Sequence, residues 1–135
     1  MKNNLIIFSI GFVCIFIVYA LVFGLLFADY FQSMIVKYPS VFRSVPLIPV
    51  IAVAHAIQTV LFIYLFKRMK VETIQEGMIS GVILFVLIEA VFIVFIFANI
   101  SFIPFNYVLI DILLSAIPGA IGGGVLGFAI GKFKD

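Results

Sequence analysis

One histidine and two carboxylates stand where a soluble protein would seldom put them. His55, Glu89 and Asp111 are each the sole ionisable group of a long apolar stretch. Such a group is costly against hydrocarbon, so it faces the protein interior and marks a candidate ion path, proton relay or ligand site. Gln58 and Thr59 follow His55 by three and four residues, which puts them near its face on a helix. Asp29 closes an earlier apolar stretch. The functional reading is a polar path, with Asp29 and Asp111 near one mouth and Glu89, His55 and Gln58 at mid-depth. A carboxyl out of water favours its neutral form and an imidazole titrates near neutral pH, so this set suits proton-coupled movement of a small cation or solute. The competing reading is a structural clasp that fixes helix register. A third is a lipophilic ligand or pigment held in the bundle, with His55 as a single axial ligand.

Other chemistry finds little footing. There is no Ser/His/Asp set, phosphate-binding loop or zincin motif, so no enzyme activity, catalytic residue or cofactor is assigned. A di-iron site needs a Glu-x-x-His pair, which is absent, and no metal site is read. Cys14 is alone, which excludes an internal disulfide and reads as a small packing residue. Eight Lys+Arg against six Asp+Glu, with no basic run, argues against nucleic acid. The first apolar stretch lacks the glutamate of small multidrug exporters, and the third lacks the Gly-Gly-Leu-Ser-Thr-Phe-type stretch of fluoride channels.

The elements that must hold these residues follow from composition. The chain of 135 residues is 66% hydrophobic and 10% charged, with a mean hydropathy of +1.40. A soluble domain is typically about 45–50% apolar and about 25% charged. The reading is an integral membrane protein whose first partner is the lipid bilayer. A hydrocarbon core about 30 Å thick takes roughly 20 apolar residues in a helix. Four segments reach that length, at about 5–27, 45–66, 78–98 and 107–130. The fold class is therefore all-α: a single domain over 1–135, a polytopic four-helix transmembrane bundle. The 23-residue first run is too long for a cleaved signal core.

Orientation is read from Lys and Arg in short connections. Lys2, Lys67, Arg68, Lys70, Lys132 and Lys134 share one side, against Lys37 and Arg43 on the other. Both termini are expected in the cytoplasm of a multi-pass protein of the inner (plasma) membrane. Tyr30, Tyr38 and Tyr107 then mark the outer interface and Tyr64 the inner one. In the first loop, Tyr30, Phe31, Met34, Ile35 and Tyr38 recur at helical spacing, so an interfacial amphipathic helix is expected there. No internal repeat is visible.

Depth, counted along the helices, places His55 and Glu89 near the middle of the second and third spans. A hydrogen bond between them, direct or through one water, is expected. Asp111 falls about seven residues from the centre of its span, roughly 10 Å nearer the outside at 1.5 Å per residue.

The fourth span carries the most specific pattern. Ser115, Gly119, Gly123, Gly127 and Gly131 recur at steps of four, with Gly77 and Gly81 at the start of the third span. Such strips let helix backbones approach closely in lipid. The ridge packs either on the third span or on a second copy, in a homo-oligomer. Ala20, Gly24 and Ala28 form a shorter strip on the first span. Pro118 should kink the fourth span at its middle. Gly11 has no small neighbour four residues away and is expected to tolerate substitution.

Tyr19-Ala-Leu-Val-Phe-Gly24, Thr73-Ile-Gln-Glu-Gly77 and the Gly119–Gly131 tail resemble a family of small four-span bacterial membrane proteins of unknown function, although this chain has no tryptophan. The resemblance implies a fold and no activity. The function expected is a small membrane protein that moves, or helps to move, a small solute or ion as a homo-oligomer or in a larger membrane complex. The alternative is a non-enzymatic accessory subunit.

Overall fold

The computed structural model describes residues 2–40 and 42–134; the side chain of Phe31, part of the expected amphipathic face, lies outside that description. The chain is 84% helical, and no strand occurs among the described residues. The helices are α1 (Lys2–Leu21), α2 (Ala28–Lys37), α3 (Ile48–Met69), α4 (Ile74–Asn99), α5 (Phe105–Leu114) and α6 (Ala116–Phe133). A π-helical turn, Val22–Leu26, prolongs α1. Four helical segments are long and apolar enough to cross a membrane: Lys2–Leu26, Ile48–Met69, Ile74–Asn99 and Phe105–Phe133.

The ends of these segments have local causes. Pro49 sits in the first turn of α3, where its missing N–H costs nothing. The helix therefore starts at Ile48, three residues after the expected 45. Thr73 caps α4 reciprocally: its side chain accepts from Glu76 N, and Glu76 Oε2 accepts from Thr73 N, both at 3.2 Å. That capping box starts α4 four residues before the expected 78. Between them α3 stops at Lys70, whose φ of 57° is left-handed, while Val71 N donates back to Phe66 O at 2.9 Å. This tight reversal sets α3 and α4 side by side.

The fourth segment is broken at Ser115 rather than at Pro118. Proline has no N–H to donate to the carbonyl four residues back, and its ring crowds that carbonyl. For Pro118 the affected residue is Leu114, where α5 ends. Ser115 bridges the gap: its N–H donates to Asp111 O at 3.1 Å, its Oγ donates to Ile112 O at 2.6 Å, and its own carbonyl accepts from Gly119 N at 3.1 Å. Pro118 then lies in the first turn of α6, where proline is tolerated.

α6 is the centre of the assembly. It packs most extensively on α4, next on α1 and also on α3. Ile7 and Ile15 of α1, Phe62 and Phe66 of α3, Phe85 of α4, and Leu126, Ala129 and Ile130 of α6 form the buried core. The outer faces are apolar and exposed, as at Val53, Ile57, Leu87, Val91 and Phe95. In α2, Met34 is buried and Tyr30 and Ile35 are half-buried, while Gln32, Ser33 and Lys37 are exposed. The first loop thus contains an amphipathic helix.

The glycine ridge meets α4 within the chain. A Cβ added to Gly77 would strike the carbonyl oxygen of Gly123, one on Gly81 that of Gly119, and one on Gly127 that of Thr73. Gly131 faces the carbonyl of Glu72 in the same way. The face expected to seat α4 or a second copy is therefore filled by α4. Gly11 corrects the expectation of tolerance: it is buried, and a Cβ there would run into the Leu126 side chain. Gly24 has nothing within 4 Å, so the Ala20–Gly24–Ala28 strip stays open.

Candidate functional site: a carboxyl pair beside a His–Gln–Tyr cluster

The α4–α6 contact has a simple antiparallel register. Thr73 lies opposite Gly127, Gly77 opposite Gly123 and Gly81 opposite Gly119. Each further turn of α4 advances four residues while its neighbour recedes four. Two more steps bring Phe85 to the level of Ser115 and Glu89 to that of Asp111. The same rows that are glycine at one end are acidic at the other.

The two carboxyls do meet. Glu89 and Asp111 are hydrogen-bonded side chain to side chain. Two carboxylate anions have no donor between them, so one of the two supplies an O–H. Asp111 is 4% exposed and Glu89 is half-buried. The pair shares one proton and one negative charge inside an apolar bundle, and the two titrate as a unit.

A second group lies next to it. His55 Nδ1–H donates to Gln58 Oε1 at 3.1 Å, and Thr59 Oγ1 donates to His55 O at 2.7 Å. Gln58 is also hydrogen-bonded to the side chain of Tyr19. The rings of Tyr19 and His55 lie 4.5 Å apart between centroids, and Phe16 meets the imidazole edge-on at 5.8 Å. Tyr19 also packs on Phe85, with centroids 5.9 Å apart, and feels the charges of both Glu89 and Asp111. It therefore stands between the histidine group and the carboxyl pair. On the far side of the pair, Tyr107 feels both carboxyls and stacks on Tyr30 at 4.5 Å, with Phe27 edge-on to it at 5.9 Å.

The sequence-level candidates are sorted by this geometry. Glu89 and Asp111 come together from α4 and α5. His55 and Gln58 come together on α3. No contact joins His55 to Glu89 among the described residues; each is bonded to another partner, and Tyr19 lies between the two groups. Asp29 is exposed in the first turn of α2, and no described contact brings it to the cluster. Tyr19 was not among the candidates, although it is a polar aromatic residue inside an uncharged span. Tyr107 was read as an interfacial anchor and belongs to the cluster instead. Among the described residues no three or more His, Cys, Asp or Glu side chains converge as metal ligands would.

Comparison with known proteins finds no matching family model, no matching curated protein and no matching solved structure. The functional reading rests on the residues themselves.

Proposed function

We propose that this chain is a multi-pass protein of the plasma membrane, both termini cytoplasmic, that moves or helps to move a small cation in exchange for protons. The observation that carries the reading is the Glu89–Asp111 pair. A buried carboxyl pair holding one proton can release it, take up a cation of equal charge, and so couple the two without a net change of buried charge. Tyr19, Gln58 and His55 supply hydroxyl, amide and imidazole groups through which a proton can reach the pair. The clasp reading uses the same hydrogen bonds, and a single substitution separates them. Glutamine at position 89 keeps a donor for Asp111 and removes the exchangeable proton.

The test uses purified protein in vesicles that enclose a pH-reporting dye, with a sodium or a potassium gradient imposed across them. Wild-type protein should drive a proton counterflow that Glu89→Gln abolishes while helicity is unchanged. A wild-type flux no greater than that of empty vesicles, or an undiminished flux in Glu89→Gln, overturns the transport reading in favour of the clasp.

A second reading, an accessory subunit of a larger membrane complex, is favoured by the open Ala20–Gly24–Ala28 face of the first segment. The glycine ridge is occupied by α4, so assembly with further copies or other subunits would use faces such as this one.

A further inference from the structure

An open groove of about 800 Å³ runs between α1 and α3 at the end of the molecule opposite the carboxyl pair. Its walls are apolar, built by Leu5 and Phe8 on one helix and Val60 and Ile63 on the other. Its mouth is of a different kind. Lys2, Asn4 and Lys67 line it, and Lys67 Nζ donates to Asn4 Oδ1. Tyr64 closes one flank, with the Arg68 guanidinium 5.5 Å from its ring centroid.

The charges at this mouth are uncompensated. The ion pair found among the described residues is Lys134–Glu72, at the α3–α4 turn, and it involves neither Lys2 nor Lys67. Lys67 is steadied by a neutral amide, which orients the ammonium and leaves its charge intact. A slot with hydrocarbon walls and two cations at one end matches an amphiphile with an anionic head and an aliphatic tail. A free phosphate would use the lysines and leave the walls wet. A zwitterionic lipid would use the walls and gain no net charge complementarity.

We infer that this groove binds an anionic phospholipid, its phosphate between Lys2 and Lys67 and one acyl chain against Phe8, Val60 and Ile63. The inference rests on the membrane reading above and adds a specific lipid to it. The position also suits the expected topology, because it lies at the lysine-rich side of the chain, where basic pockets between spans attract anionic headgroups.

The test is native mass spectrometry of the full chain after incubation with equimolar phosphatidylglycerol and phosphatidylcholine, alongside flotation with phosphatidylcholine vesicles. Retained phosphatidylglycerol should exceed phosphatidylcholine, and Lys2→Gln and Lys67→Gln should each cut that preference by roughly fivefold. Glutamine at 67 can still reach Asn4, and both positions are exposed, so the variants should keep wild-type helicity. Lys37→Gln, in α2 outside the groove, should change nothing. Excess glycerol phosphate should fail to displace the lipid. Equal retention of the two lipids, a preference that survives Lys2→Gln/Lys67→Gln, or displacement by glycerol phosphate overturns the inference. A chain that floats with vesicles yet shows no preference refutes the groove alone, and a chain that does not float refutes the membrane reading with it.

Discussion

Replacing Gly81 with alanine asks whether α4 and α6 owe their contact to bare backbone. The new Cβ would fall on the carbonyl oxygen of Gly119 and 2.8 Å from the Cα of Gly123. Both are helix backbone, so no change of rotamer relieves the overlap. Ordinary contact begins near 3.4 Å, so the helices must part by about 0.6 Å before the carbonyl is even accommodated. A gap of that size forfeits about a quarter to a half of the dispersion attraction across it. With on the order of 40 heavy-atom pairs facing each other, each worth about 0.15 kcal/mol, the loss is about 2 kcal/mol. Direct studies of overpacking span roughly 1–3 kcal/mol. Alanine also returns up to about 1 kcal/mol of helix propensity, which masks part of the effect. Gly24→Ala is the control that isolates the contact, because it receives a similar propensity gain with nothing within 4 Å. The quantity to measure is the difference between the two variants, by detergent-induced unfolding followed through helicity. Gly81→Ala should be less stable than Gly24→Ala by about 2 kcal/mol. Equal stability would show that the α4–α6 approach is not the close one described.

Two more outcomes probe the segment ends. Thr73→Ala removes the side chain that accepts from Glu76 N and should lower stability by about 1 kcal/mol in the same unfolding measurement; no change would mean that α4 is held from Ile74 by packing alone. Pro118→Ala restores a donor for the Leu114 carbonyl, so α5 and α6 should join into one helix. Spin labels at the exposed positions 106 and 128 should then move apart, and an unchanged distance would assign the break to Ser115 and its hydrogen bonds.

The four long segments were legible because length and apolarity alone demand them. Their ends were less so, since Thr73 and Pro49 start helices through capping and proline placement, which a hydropathy window averages away. The His55–Glu89 pairing failed for a geometric reason. Equal depth fixes height along a helix and says nothing about azimuth, which turns about 100° per residue. The signal that does carry azimuth was in the sequence. Asp111 lies four residues before Ser115 and eight before Gly119, on the glycine row of the fourth segment, and Glu89 lies eight after Gly81 on the matching row of the third. Extending the glycine strips in both directions leads from the ridge to the acid pair. Tyr19 had no such marker, because its role depends on how α1 sits against α3 and α4, which neither spacing nor composition encodes.

That shared register ties the ridge to the site. Glycine at positions 77, 81, 119 and 123 holds the helix backbones too close for any side chain between them, so a slip of one turn would drive Phe85 into a place that only glycine fits. The register is therefore fixed at the glycine end, where the penalty for error is steric and steep. At the carboxyl end two side chains of similar charge would repel as anions and gain nothing by moving together unless a proton lies between them. The rigid end supplies the constraint that the soft end lacks. It keeps Glu89 at the level of Asp111 in both protonation states of the pair, which is what an exchange of a proton for a cation requires of its site. The break at Ser115 falls between the two ends, one turn from Asp111. It leaves α5 free to tilt on α6 when the shared proton departs, while the glycine contact with α4 stays closed.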